Sequence, residues 1–258
     1  VEAYNVPFVT WTVAHLPLAL DLGLSLKSHG AVAAQPSRPA DPRLDISTGD
    51  AGIDQGFALH ADEASRAQAL IDESFCTVLR EHVNPQTDVE ISDNGVRIAQ
   101  MGVATQVAPL LWSIDATVAL ARALDAGRKR VRVAKPLRKH NRALKAYAKE
   151  KQLKRSRTPL CVWGQIEDLS IDARAVRSGP ASHHFEVSVR PPEPFPAPAD
   201  DETFAQLREH WQVRQDPQGL HARGPASLPK AAVPELVDGL VDIASAMRDG
   251  SERRGPYR

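Results

Sequence analysis

Aromatic side chains are scarce in this chain, at 5% of 258 residues. Aliphatic residues and alanine must therefore fill the core. Stacking of successive nucleic-acid bases on aromatic platforms has little to build on. Cysteine is scarcer still. Cys76 and Cys161 are the only two, too few for a disulfide framework. They read as buried free thiols in a reducing, cytoplasmic setting. Catalytic and metal-binding signatures are missing too. There is no H-E-x-x-H, no paired C-x-x-C, no G-x-S-x-G and no G-x-x-x-x-G-K. Of the nine histidines, His183 and His184 are adjacent, so on a strand they face opposite sides and cannot readily share an ion. No metal and no cofactor is expected.

Long apolar runs are also wanting. "VAHLPLALDLGLSL" (13–26) is interrupted by His15, Pro17 and Asp21, so no transmembrane segment is expected. No basic n-region leads into an apolar h-region. The chain opens on Val1 rather than Met, which leaves room for a segment before it.

What is present is a globular composition, 42% hydrophobic and 25% charged, long enough for one large domain or two ordinary ones. Net charge is zero, yet its distribution is uneven. Residues 128–157 hold fourteen Lys and Arg against one acid, Glu150, and the remainder holds 18 basic and 31 acidic side chains. A block of +13 therefore sits in a chain otherwise at −13.

Apolar spacing predicts a helix over 63–82, with Ala67, Leu70, Ile71, Phe75, Val78, Leu79 and His82 on one face, Asp62 as its N-cap and Pro85 as its stop. "DVEISDNGVRIAQMG" (88–102) predicts a hairpin turning at Asp93-Asn94-Gly95. A second helix over 105–126 would bury Val107, Leu110, Leu111, Ile114, Val118, Ala121 and Leu124. Residues 158–190 read as a three-stranded meander turning near Glu167-Asp168 and Ser178-Gly179-Pro180. Strand–turn–strand follows at 210–224 and a helix at 229–249. "FVTWTVAH" and "LDLGLSLKS" supply strands near the start, while 31–43 and 191–202 read as loops. Trp11, Trp112, Trp163 and Trp211 read as core anchors or interface residues, and Cys161, inside "PLCVWG", as a core thiol.

The order strand, helix, hairpin, helix recurs, and Leu-Arg-Glu-His stands ahead of the hairpin in both halves, at 79–82 and 207–210. This predicts an α+β protein made of two similar tandem halves by internal duplication, each an antiparallel sheet covered on one face by helices. The expected division is a first α+β repeat over 1–127, a basic connecting helix over 128–157, and a second α+β repeat over 158–258. The two sheets are expected to face each other about a pseudo-twofold axis.

"DISTGDAGIDQGFALHAD" (45–62) gathers Asp45, Asp50, Asp54 and Asp62 around Thr48 and glycines. Counted from Asp45, the EF-hand's Gly at position 6 is Asp50 and its Glu at position 12 is Gly56, so that pattern fails. A structured turn ahead of a strand is the plainer reading, because Asp and Thr bond local backbone N–H groups. Thr48, Asp50 and Asp54 stay as the candidate ligand or ion site. With Phe57 they spell T-G-D-x-x-x-D-x-x-F. This resembles a signature of an uncharacterised family of bacterial proteins that also carries a helix like "TVALARALDAG". The resemblance covers roughly 20–127, and more faintly 158–250. It implies a shared fold and brings no activity, cofactor or catalytic residue with it.

Three functions are open. The first is a non-catalytic structural or partner-binding module, through a protein partner or self-association. The second is binding of a polyanion, either nucleic acid or an anionic membrane surface, by Arg128, Lys129, Arg130, Arg132, Lys135, Arg138, Lys139, Arg142, Lys145 and Lys149. In that segment Leu137, Ala143, Leu144, Tyr147 and Ala148 would form the narrow apolar face of a helix running on from Pro136. The third is a small-molecule hydrolase using Asp50, Asp54 and nearby histidines.

Overall fold

The structure, a computed structural model, describes residues 9–28, 45–84, 87–101, 106–179, 182–195 and 202–253. The loop at 31–43, Pro85, Gly102, Pro180 and part of the loop at 191–202 lie outside these residues. The chain divides into two compact units, Val1–Arg132 and Val133–Arg258. Each holds one antiparallel sheet with helices, so the protein is α+β.

The first unit contains β1 (Val9–His15), β2 (Ser25–Ser28), α1 (Ala51–Gly56), β3 (Phe57–His60), α2 (Ala64–Leu70), α3 (Glu73–His82), β4 (Asp88–Ser92), β5 (Gly95–Met101) and α4 (Val107–Arg128). Its sheet order is β1-β5-β4-β2-β3. Strict alternation decides the faces. Leu26, Leu59, Val89, Ile91, Val96 and Ile98 point into the core with Leu70, Phe75, Leu79, Leu120 and Leu124 of the helices. Lys27, Glu90 and Arg97 lie on the other face, where Glu90 pairs with both cations.

The hairpin at Asp93-Asn94 forms as the sequence predicts, between Ser92 and Gly95. Gly95 has φ +156°, and a Cβ there would collide with the Ala14 carbonyl. The turn also anchors the β1–β2 connection. The Asp93 carboxylate accepts from the N–H groups of Leu22 (3.1 Å), Gly23 (2.8 Å) and Leu24 (3.0 Å).

The helix expected over 63–82 is two helices. Ile71 leaves helical geometry (φ −88°, ψ 65°), and Asp72 starts α3 by accepting from the Phe75 N–H at 3.1 Å. Asp62 is not a cap. Glu63 holds the position before α2 and makes no side-chain capping bond. Apolar periodicity runs across the break because both helices cover the same core, so spacing alone conceals it. Arg66, 5% exposed, ties α2 down by donating to the Asp21 and Arg132 carbonyls, each at 3.0 Å.

α4 also departs from expectation. Its buried face is Ser113, Ala116, Thr117, Leu120, Leu124 and Gly127. Val107, Leu111 and Ile114, expected inside, are exposed. Small and hydroxyl side chains allow close approach to the sheet: Thr12 and Ser113 share a 2.8 Å hydrogen bond, and Thr117 donates to the Ser113 carbonyl. By length and composition α4 is apolar enough to cross a membrane, with mean hydropathy 1.4, and 28% of that window is buried.

The second unit contains a 3-10 turn (Lys135–Leu137), α5 (Arg138–Glu150), β6 (Lys154–Arg157), β7 (Leu160–Ile166), β8 (Leu169–Gly179), β9 (Ser182–Arg190), a 3-10 turn (Glu202–Phe204), α6 (Ala205–Arg208), β10 (Gln212–Asp216), β11 (Gly219–Pro225) and α7 (Ala232–Arg253). Its sheet order is β10-β11-β9-β8-β7-β6. The meander of β7, β8 and β9 and the hairpin of β10 and β11 match the sequence reading. The basic helix is shorter than expected, for it stops at Glu150 and Lys154–Arg157 pair instead as edge strand β6. Its inner face is Leu137, His140, Leu144, Tyr147 and Ala148, packed with Val233, Val237 and Leu240 of α7. Each unit ends in the same order: a helix, a hairpin and a 22-residue helix.

Candidate functional site

Thr48, Asp50 and Asp54 are brought together, in a turn that engages its own carboxylates. One Asp50 oxygen accepts from Gly52 (3.0 Å) and Ile53 (3.2 Å) and so caps α1, while the other pairs with Arg80 of α3. One Asp54 oxygen accepts from the Thr48 N–H (2.8 Å) and hydroxyl (2.7 Å), and the other from Ser47 Oγ (2.6 Å). All four carboxylate oxygens thus have donors. Burial opposes ionisation of Asp54, but bonds from Ser47 and Thr48 outweigh it and hold the carboxyl below its usual range. The sequence expected a turn and a strand. It did not reveal α1 between them.

Cys76 and Cys161 are buried and form no disulfide. Burial first, then the Asp50 charge, pushes the Cys76 thiol up, away from a reactive thiolate. Among the described residues no three His, Cys, Asp or Glu side chains are grouped to hold a metal.

The basic segment divides between the units. Arg128 is buried at the end of α4, donates to the Leu18 carbonyl at 2.7 Å and pairs with Asp125 at 3.2 Å. Lys129 follows it, exposed. Arg130 pairs with Asp72 at 2.7 Å. Arg132 is exposed at its side chain, and its carbonyl receives Arg66. In the second unit Lys139 donates to the Ser227 carbonyl at 2.8 Å. Lys135, Arg138, Arg142, Lys145 and Lys149 are exposed, and the last four recur at helical spacing as one stripe along α5. No ion pair engages that stripe among the described residues.

The uncovered face of the second sheet is concave, with a volume of about 520 Å³. It is lined by charge, including Arg174, Glu186, Arg190, Arg214 and Arg223. Glu186 stands opposite Arg174 on one neighbour strand and Arg223 on the other, a cross-strand ladder. Ligand pockets are mostly apolar with a few polar groups, and this lining is the reverse.

The most unusual surface was not a sequence-predicted site. Edge strand β1 turns Val9 (38% exposed), Trp11 (43%) and Val13 (48%) to solvent. Arg97 lies against this set, its guanidinium 4.8 Å from the Trp11 ring. On the other sheet face α4 exposes Val107 (70%), Leu111 (55%) and Ile114 (40%). Trp11 and Trp112 are therefore surface residues, whereas Trp211 is buried. A signal was available. In "VTWTVAH" the positions alternating with Val9, Trp11 and Val13 are Thr10, Thr12 and Ala14, so the bulkier apolar set could have been tested as the outer face.

No family model, no curated protein and no solved structure matches the chain.

Proposed function

We propose that this chain is a non-catalytic partner-binding module whose contact surface is the edge made by β1 and α4. The observation that supports it is the bulk apolar surface left open there. Val9, Trp11 and Val13 on one face and Val107, Leu111 and Ile114 on the other stand exposed at a strand edge whose residues Val9–His15 include no Lys or Pro, and exposed apolar surface of this kind marks interaction sites. The Asp50 and Asp54 carboxylates are engaged in a helix cap, a turn and an ion pair. The shared order of helix, hairpin and long helix further supports reading the two units as an internal duplication.

The test is a photoreactive residue in place of Leu111 or Trp11, illuminated in the cells that make the protein. A discrete adduct is expected from both positions and not from Arg174 of the second sheet. Absence of any adduct from 11 and 111 would remove the proposal.

A second reading is favoured by the stripe of Arg138, Arg142, Lys145 and Lys149. Four cations at steps of four and three residues suit a row of phosphates on nucleic acid or an anionic membrane. It predicts binding that falls steeply as salt rises and is lost when the four are changed to Gln.

A further inference from the structure

Resting on the reading of the β1–α4 edge as a partner surface, we infer that its occupant is a second copy of this chain, in a two-fold dimer. Three features of that edge converge on self-association.

The first is the strand. β1 pairs with β5 on one side, and no strand among the described residues pairs with the other. Exposed edges are normally guarded by Lys, Pro or a bulge. Val9–His15 has none of these, and its only titratable side chain is His15. An antiparallel pair of β1 strands is itself a two-fold arrangement, in which each copy completes the other's edge.

The second is the helix. Ser113 bonds Thr12 of β1, and the carbonyl of Pro109, about 40° away round the helix, accepts from Gln100 of β5. Leu110 lies about 60° beyond Ser113, on the side away from Pro109. The Leu110 flank is therefore the one beside β1. Val107, Leu111, Ile114, Val118 and Ala121 run along that flank at alternating steps of four and three, the spacing of a helix–helix seam. The two-fold that pairs β1 with β1 also sets α4 antiparallel to α4 on the same side of the joined sheet.

The third is complementarity of area and charge. The exposed parts of Val9, Trp11, Val13, Val107, Leu111 and Ile114 sum to ~500 Å² per copy, taking full side-chain areas of about 150–250 Å². Doubled, full burial of both sets would reach the roughly 1,000 Å² a specific interface needs, before backbone and polar rim are counted. Residues 107–124 carry two charges, Asp115 and Arg122, of opposite sign, so like copies meet without net repulsion.

Sedimentation velocity of the full chain over a wide concentration range tests this. The expected mass is twice 28.1 kDa. Ile114→Asp on α4 and Val13→Lys on β1, both at exposed positions, should each return the monomer. Trp112→Asp, on the other flank of α4, should stay dimeric. Amide exchange of β1 in the unaltered protein gives a reading that needs no variant: protection of its free edge should rise with concentration. A wild type at 28.1 kDa throughout, or a dimer that survives both Ile114→Asp and Val13→Lys, overturns the inference. Monomer with an adduct of a different protein at Leu111 rejects self-association and keeps the partner surface. Monomer with no adduct rejects both. A monomer that co-sediments with zwitterionic vesicles, and loses this in Ile114→Asp, assigns the face to lipid instead.

Discussion

Asp93 joins two parts of the first unit that sequence places far apart, and replacing it with Ala measures that joint. Its carboxylate takes three backbone N–H groups, from Leu22, Gly23 and Leu24, at 2.8 to 3.1 Å. The donors belong to a connection in which Leu20, Asp21, Leu22 and Leu24 are all under 7% exposed. The backbone is bent to present them, with positive φ at Asp21 (56°) and Gly23 (64°). An unmet buried donor costs about 1–3 kcal/mol, and water entering beside the half-buried Asp93 would recover part of that, so Asp93→Ala should cost about 3 kcal/mol. In urea this moves the unfolding midpoint of the first unit by roughly 1–2 M. Amide exchange at Leu22, Gly23 and Leu24 should accelerate more than elsewhere in the sheet. Asp93→Asn keeps an acceptor without the charge and should lie between. A loss below about 0.5 kcal/mol with those amides still protected would show that the carboxylate does not hold the connection.

Other expectations follow from single contacts. Gly95→Ala combines positive φ with a collision at the Ala14 carbonyl, and should lower stability by about 2 kcal/mol or more in thermal unfolding. Tyr147→Phe removes the 2.8 Å bond to Asp238 and should cost about 1 kcal/mol, read as the midpoint shift in urea. His140 is fully buried, donates Nε2–H to the Ala226 carbonyl at 3.0 Å when neutral, and has its pKa lowered first by burial. The unfolded chain therefore takes up a proton near its ordinary value of 6.5 before the folded one does. Stability should fall as pH drops from 6.5 to the depressed folded pKa, and His140 should add no pH dependence above 6.5. His140→Gln should remove this slope in a pH series of urea midpoints.

Both hairpins and the meander were legible because alternation and turn chemistry act locally. Val89, Ile91, Val96 and Ile98 alternate around Asp93-Asn94-Gly95, and nothing distant is needed to place them. Helix ends were less legible. Asp72 starts α3 inside an unbroken apolar period, so a break that serves tertiary packing leaves no mark in the spacing. The inner face of α4 was misjudged because the helix is apolar nearly all round. Close packing chose Ser113 and Thr117 for the inside and left Leu111 and Ile114 out, which hydrophobicity alone cannot predict. β6 was hidden for the opposite reason: Lys154–Arg157 is wholly polar, and it pairs through backbone bonds to β7. The turn at Thr48–Asp54 is legible, though helix α1 within it is not, since Asp and Thr seek neighbouring N–H groups. The apolar edge is not legible in the sequence because exposure is a property of the assembled sheet.

The most direct test of the account is the mass at which a chain of these 258 residues, produced in its own cells, elutes from their extract. A partner on the β1–α4 edge predicts a mass well above 28.1 kDa, with Ile114→Asp shifting the chain to that value while its circular dichroism is unchanged. Elution of the unaltered chain at 28.1 kDa would contradict it.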